Sequence, residues 1–359
     1  CGYPAIKLHF CYHAHCFQCA RAGGAAPLIQ LNDGHKMPAI ALGTWLGNST
    51  TGRIKPVGDE VENALLWAIE AGYRHVDTAW AYHVEDQVGR LLRENGIPAV
   101  PREELFITTK LWNSEHARKA VVPALRASLA QLQLSYVDLY LIHWPVGQFV
   151  MKCRLWNSLP LSIRQAPSKV IFKRMLRSYD YTHYLETWRG MMQAQGLGLA
   201  RSVGVSNFNK SMLEEIRTAE LRMPAVLQVE WNLNIQQSDL LAYCRQQNIT
   251  VMGYTPFGSM FASRSKLDAP PPRSNDPALK AIATKYNKTV PQVVLRYAVE
   301  MGVVPIPKSL KKERIIQNIN IFNFALDEDD KRVLRGFDNG YRTTGFKPVT
   351  SPLLFVEVL

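Results

Sequence analysis

The chain has 359 residues, 47% of them apolar and 20% charged, a globular composition that excludes a disordered or fibrous chain. Its apolar runs fall far short of the roughly 18–20 residues of a membrane span. The net charge is +12, but residues 1–30 contribute +2 and residues 149–177 contribute +7, with no acid in either, leaving +3 for the other 300 residues; the body is nearly neutral and lacks the footprint of a nucleic-acid-binding surface.

Residues 1–27 read as a tail, disordered or the product of an incorrect start. It holds Cys1, Cys11, Cys16 and Cys19. The stretch CYHAHCFQC at 11–19 has zinc-donor atoms but no second ligand pair, so no metal site is expected. Only Cys244 lies in the body, since Cys153 belongs to the basic segment. A disulfide framework is thereby excluded, which points to a reducing compartment, the cytoplasm. The sequons at Asn48, Asn248 and Asn287 are then chance matches.

From Leu28 the pattern is regular. Leu28–Ile40 carries an Asp33-Gly34 turn between apolar stretches and predicts a hairpin. Eight short apolar runs follow: Ile40–Trp45, Arg74–Ala79, Leu105–Leu111, Val137–Trp144, Ala200–Asn207, Val226–Trp231, Thr250–Phe257 and Val303–Ser309. They are rich in Val, Ile, Leu, Thr and Tyr without strict alternation, as buried parallel strands are. Helical patterns alternate with them: Glu60–Ala71, Glu85–Asn95, Lys119–Gln131, Tyr184–Gln195, Ser211–Ala219, Asp239–Gln247, Pro277–Lys285, Thr289–Gly302 and Lys311–Ile319. The series predicts an α/β fold, a (β/α)8 TIM barrel with an N-terminal hairpin. Two doubly wound open sheets are the alternative. No Gly-x-Gly-x-x-Gly follows any run and no Walker A loop is present.

In such a barrel, chemistry sits where strands end. Asp77 ends the second run and Tyr82 lies five residues further on, in the following loop. Lys110 ends the third, and His143 the fourth. Singly, each has an ordinary structural explanation: a helix cap, a snorkelling lysine, a satisfied core histidine. Together they suit proton donation to a carbonyl. A tyrosine is a poor acid at neutral pH, an adjacent ammonium favours its phenolate, Asp77 would hold that ammonium, and His143 could hydrogen-bond a substrate oxygen.

The residues 72–89, GYRHVDTAWAYHVEDQVG, resemble the first signature of the aldo-keto reductases. ARSVGVSNFN at 200–209 resembles the second and IPKSLKKERIIQN at 306–318 the third, while ITTKLW and LIHWPVG resemble the lysine and histidine segments. The resemblance spans about Leu28 to Arg342. It implies a (β/α)8 barrel that reduces aldehydes and ketones with NADPH, with Tyr82 as general acid, Lys110 and Asp77 tuning it and His143 orienting the carbonyl. It further implies that Gly43, Thr44 and Trp45 line the mouth, that Ser206, Asn207 and Gln228 bind the nicotinamide carboxamide, and that Tyr254 stacks on the ring. Lys308, Ser309 and Arg314 match the grip on the adenosine 2′-phosphate, where a lysine charge and an arginine fork suit a dianion. Asn318 matches an adenine contact, beside Gln317 where many members carry Glu. Trp45, Trp112 and Trp144, with His143, would make an aromatic substrate mouth that favours lipophilic carbonyls, a reading compatible with packing at the barrel rim. HWPVGQF and YLETWRGMM are similar to arthropod members that reduce 3-dehydroecdysteroids. The resemblance also implies a monomer.

The expected domain boundaries are 1–27, 28–342 for the barrel, with an extended basic loop at 149–180, and 343–359 for a C-terminal tail ending in SPLLFVEVL. The basic loop reads as a solvated insertion or a translated intron; salt-sensitive nucleic-acid binding through it is the competing reading. A catalytically impaired, reductase-like scaffold is a further alternative, and all four catalytic residue types being present speaks against it.

Overall fold

Eight parallel strands follow one another in chain order around a barrel, each hydrogen-bonded to its sequence neighbour. The computed structural model describes residues 26–49, 52–54, 56–92, 100–146, 184–261, 269–270 and 273–344. Residues 1–25 of the cysteine-bearing tail, the basic loop 149–180, the stretch 345–359 and the expected end of the Glu85–Asn95 helix lie outside the described residues.

Strands β1 (Leu28–Gln30) and β2 (Lys36–Pro38) form the expected antiparallel hairpin. The barrel consists of β3 (Leu42–Gly43), β6 (His75–Asp77), β7 (Phe106–Leu111), β8 (Val137–Ile142), β9 (Ala200–Ser206), β10 (Val226–Glu230), β11 (Thr250–Tyr254) and β12 (Val303–Ile306). A small antiparallel pair, β4 (Asn48–Ser49) and β5 (Gly52–Arg53), follows β3 and was not legible in the sequence. Ala41 N donates to Pro305 O at 3.1 Å and Gly43 N to Pro307 O at 3.0 Å. These bonds join the first barrel strand to the last, and the open-sheet alternative falls with them.

The helices are α1 (Glu60–Glu70), α2 (Glu85–Leu92), α3 (Arg118–Leu132), α4 (Tyr184–Gly196), α5 (Lys210–Thr218), α6 (Ser238–Gln246), α7 (Pro277–Lys285), α8 (Val290–Glu300), α9 (Lys312–Ile319) and α10 (Glu328–Arg335). Local chemistry sets several starts. Asn209 caps α5 by accepting from Met212 N at 3.0 Å. Asp276 caps α7, with Pro277 at its first position. Thr289 and Gln292 form a capping box on α8. Helix α10 was not anticipated, because it lacks an apolar stripe and its only buried residues are Asp330 and Leu334. The signal was electrostatic: Asp327 caps it, three acids fill its first turn, and Arg332 and Arg335 close it, complementing the helix dipole. No helix among the described residues is long and apolar enough to cross a membrane.

Every residue of β7 and β8 is buried, which explains their unbroken apolar pattern: one face meets the barrel interior and the other the helices. Leu31 and Met37 of the hairpin share a cluster with Phe106, Leu139, Val226, Met252 and Val304, so the hairpin stoppers the end of the barrel opposite the strand C-termini. Trp188, fully buried on α4, donates through Nε1 to Arg222 O at 2.9 Å.

His116 is buried after β7, and neither ring nitrogen has a partner among the described residues. Burial pushes its pKa down to about 4. In the window from the unfolded value, about 6.5, down to about 4, the unfolded chain binds the extra proton, so stability falls as pH falls. Comparing urea unfolding at the two ends of that window, the native chain is expected to lose on the order of 3 kcal/mol more than His116→Phe. Equal losses would show that His116 is not the titrating group.

Candidate active site

The C-terminal ends of β6, β7 and β8 bring three of the four expected catalytic residues to one end of the barrel. The fourth, Tyr82, sits in a 3-10 turn, Trp80–Tyr82, that follows β6. Lys110 Nζ is the hub. It donates to Asp77 Oδ1 at 2.7 Å, to Thr78 O at 2.9 Å and to Tyr82 Oη at 3.2 Å. Lys110 and Asp77 are buried, Tyr82 half-buried. Burial opposes the Lys110 charge, but the carboxylate of Asp77 and contact with Tyr82 outweigh it and raise the lysine pKa above its usual value. The ammonium therefore stays charged beside the phenol.

The imidazole of His143 stands edge-on to Tyr82, ring centroids 5.6 Å apart, and edge-on to Trp112 at 5.3 Å. Trp144 stacks on the imidazole at 6.3 Å, and Trp45 lies tilted to Tyr82 at 6.4 Å. The three expected tryptophans thus gather round the tyrosine–histidine pair. Trp45 is 39% exposed, which places it at the rim.

Across the barrel lie the residues expected to hold a carboxamide. Asn207 has a left-handed backbone, φ 63°. Its Nδ2 donates to His143 O at 2.9 Å and to Ser206 Oγ at 3.2 Å, and its Oδ1 accepts from Tyr254 Oη at 2.8 Å. Burial, reinforced by Glu230, raises the Tyr254 pKa, so this tyrosine remains a neutral hydrogen-bond donor. Gln228 Nε2 donates to Asp77 Oδ2 at 2.7 Å.

Thr44 Oγ1 donates to Asp77 O at 3.1 Å. Gly43 adjoins the end of β12: a Cβ there would lie 3.1 Å from Ile306 Cγ2 and 3.6 Å from Lys308 Cβ. The first strand end and the expected phosphate grip are therefore neighbours. Ser309 is buried and accepts from Lys311 N at 3.0 Å. Arg314 is exposed on α9, with no ion-pair partner among the described residues; Asn318 is buried one turn later. An exposed guanidinium without a carboxylate suits an external anion.

Reading the sequence missed Glu230. Its carboxylate is fully buried. It accepts from Thr343 N at 2.6 Å, from Thr344 N at 3.4 Å and from Thr344 Oγ1 at 2.5 Å. These donors tie residues 343–344 to the end of β10, beside Tyr254. No motif marked this role, because the partners are 113 and 114 residues apart. Glu230→Leu is expected to loosen residues 341–344, with a stability loss of about 1–3 kcal/mol and faster proteolytic nicking there. An unchanged digestion pattern would contradict it. Among the described residues no group of three His, Cys, Asp or Glu could hold a metal ion.

Residues 39–339 match the Aldo/keto reductase family. The chain is 46% identical over 320 residues to aldo-keto reductase AKR2E4 of Bombyx mori, covering 88% of this chain and 94% of that protein. It is 38% identical over 320 residues to human aldo-keto reductase family 1 member A1, covering 89% and 91%. The crystal structure of the Bombyx mori AKR2E4 protein in complex with NADP superposes with a TM-score of 0.75 at 44% identity, covering 89% of this chain and 95% of that one. An AKR2E5 structure complexed with NADPH gives 0.76 at 39% identity, covering 91% of each. A barrel closed by the bonds between β3 and β12, with its ionisable cluster at the strand ends, and matches of this extent place the chain in the aldo/keto reductase family.

Proposed function

We propose that this protein is an NADPH-dependent carbonyl reductase with Tyr82 as its general acid. The observation that carries the reading is the Asp77–Lys110–Tyr82 chain of hydrogen bonds at 2.7 and 3.2 Å, at the mouth of the barrel. When bound, NADPH supplies the hydride. The residues present fit it: Tyr254 offers an aromatic face, Gln228 a carboxamide acceptor, and Arg314 with Lys308 and Ser309 cationic and hydroxyl groups for the 2′-phosphate. Ser206 and Asn207 complete the carboxamide site, Gly43, Thr44 and Trp45 the mouth, and Asn318 the adenine end.

The chain's own residues then handle the proton. Lys110, held charged by Asp77, makes the Tyr82 hydroxyl a better acid than a free phenol. His143 hydrogen-bonds the carbonyl oxygen and directs it to Tyr82 Oη, which delivers the proton as the oxygen gains charge. Trp45, Trp112 and Trp144 exclude water and favour a lipophilic carbonyl such as a ketosteroid. The 3-dehydroecdysteroids are one such class. The catalytic unit is residues 28–342, acting as a cytoplasmic monomer. Nothing in the site favours an impaired scaffold, since the proton-donating groups are assembled within hydrogen-bond distance.

The test is loss of the reduced-nicotinamide absorbance when purified protein is given NADPH with an aromatic aldehyde, a quinone or a 3-ketosteroid. Consumption faster with NADPH than with NADH supports the reading, and the ranking of carbonyls assigns the substrate class. Binding of NADPH without consumption of any carbonyl overturns it in favour of a scaffold.

A further inference from the structure

Asp77 has two carboxylate oxygens, and only one serves Lys110. Oδ1 accepts from Lys110 Nζ at 2.7 Å; Oδ2 accepts from Gln228 Nε2, also at 2.7 Å. The two residues are 151 positions apart, and β6 and β10 are separated by three strands in the barrel order. The bond therefore crosses the barrel interior. An ionised carboxylate can only accept, so the amide must turn its NH2 group toward Asp77. Its carbonyl oxygen, Oε1, accepts from no group among the described residues. Gln228 stands level with Ser206 on β9 and Met252 on β11, beside the Asn207–Tyr254 pair.

We propose that Gln228 is a positioning residue for the proton donor: it holds Asp77 from the opposite wall and links the carboxamide of a bound nicotinamide to Tyr82 through Asp77 and Lys110. The cofactor half of this inference rests on the reductase reading; the Asp77 half rests on the chain alone. A donor on Oδ2 draws negative charge away from Oδ1. More of the Lys110 charge is then left to act on Tyr82 Oη, 3.2 Å away. The second tether also fixes the carboxylate plane, and with it the direction in which Lys110 points. A carboxamide N–H donating to Oε1 would polarise the amide and strengthen its grip on Asp77. Other ionisable groups face this chain. Glu85 and His75 feel the charge of Lys110, His143 stands against Tyr82, and Tyr254 also feels Tyr82. Gln228 is neutral, so its influence passes through hydrogen bonds, not through charge of its own.

The test is made on cofactor-free protein. Phenolate absorbance is titrated for the native chain and for Tyr82→Phe, and the difference isolates Tyr82. The same difference is taken in a Gln228→Met background, with Gln228→Leu as the replacement should the methionine variant not fold. The expected result is a Tyr82 transition displaced toward higher pH by about one unit. With Asp77→Asn also present, Gln228→Met should add no further displacement, because the effect travels through Asp77. Affinity for NADPH, read by fluorescence quenching, should fall by about tenfold or more in the Gln228→Met protein. An unmoved Tyr82 transition, or the same displacement with Asp77→Asn present, overturns the proposal and leaves Gln228 as a carboxamide contact or core filler. These titrations need no turnover, so their outcome is separate from that of the carbonyl-reduction assay.

Discussion

Tyr82→Phe is expected to lower kcat by about 10²–10⁴-fold, the usual range for removing a positioned general acid, while leaving NADPH affinity within about twofold. The substitution removes one oxygen. Trp45 and His143, which stand 6.4 and 5.6 Å from the ring, can keep their places. In free-energy terms the loss is about 3–5 kcal/mol of transition-state stabilisation. Steady-state kinetics with the best carbonyl, alongside a binding titration, checks both halves. Turnover within about threefold of the native enzyme would falsify the assignment of Tyr82 as acid, since water or His143 would then be supplying the proton.

Lys110→Met is expected to damage stability and catalysis together, and the two effects can be separated. The pair it breaks is fully enclosed, with side-chain exposures of 0% for Lys110 and 4% for Asp77. Removing one partner leaves a buried carboxylate with Gln228 as its one remaining donor among the described residues, a change that costs about 3–5 kcal/mol. Asp77→Asn combined with Lys110→Met removes both charges, so urea unfolding should show the double variant more stable than Lys110→Met alone. Catalysis should not recover with it, because the double variant still lacks the ammonium that donates to Tyr82 Oη in the native chain. Lys110→Met should also change kcat little in the Tyr82→Phe background, since the lysine acts through the tyrosine. Additive losses of kcat would mean that Lys110 contacts the substrate in its own right.

Glu85 and Thr109 show why these two predictions rest on structure as well as sequence. Glu85, three residues after Tyr82, accepts from Thr109 Oγ1 at 2.6 Å, and Thr109 immediately precedes Lys110. A buried bond thus ties the start of α2, three residues beyond Tyr82, to the strand that carries Lys110. In the sequence, Glu85 is simply the first residue of a helix, where an acid is favoured by the helix dipole.

The amino-acid sequence by itself determined the strand–helix alternation and hence the barrel class, because runs buried on both faces and amphipathic segments leave a pattern within a few residues of each other. It also marked Asp77, Lys110 and His143 at strand ends, and Tyr82 in the loop that follows, as residues that meet at one mouth, because the rule that chemistry sits at strand C-termini needs only the strands. The capping pattern of α10 was present too but carried no apolar stripe. Only the tertiary structure decided what those residues touch. The hydrogen bond from Gln228 to Asp77, the grip of Glu230 on residues 343–344 and the closure of β3 on β12 join groups far apart in the chain. Such pairings leave no periodicity to read; they arise when the sheet closes and opposite walls come within hydrogen-bonding reach, where a buried polar group must find a partner or incur its desolvation penalty.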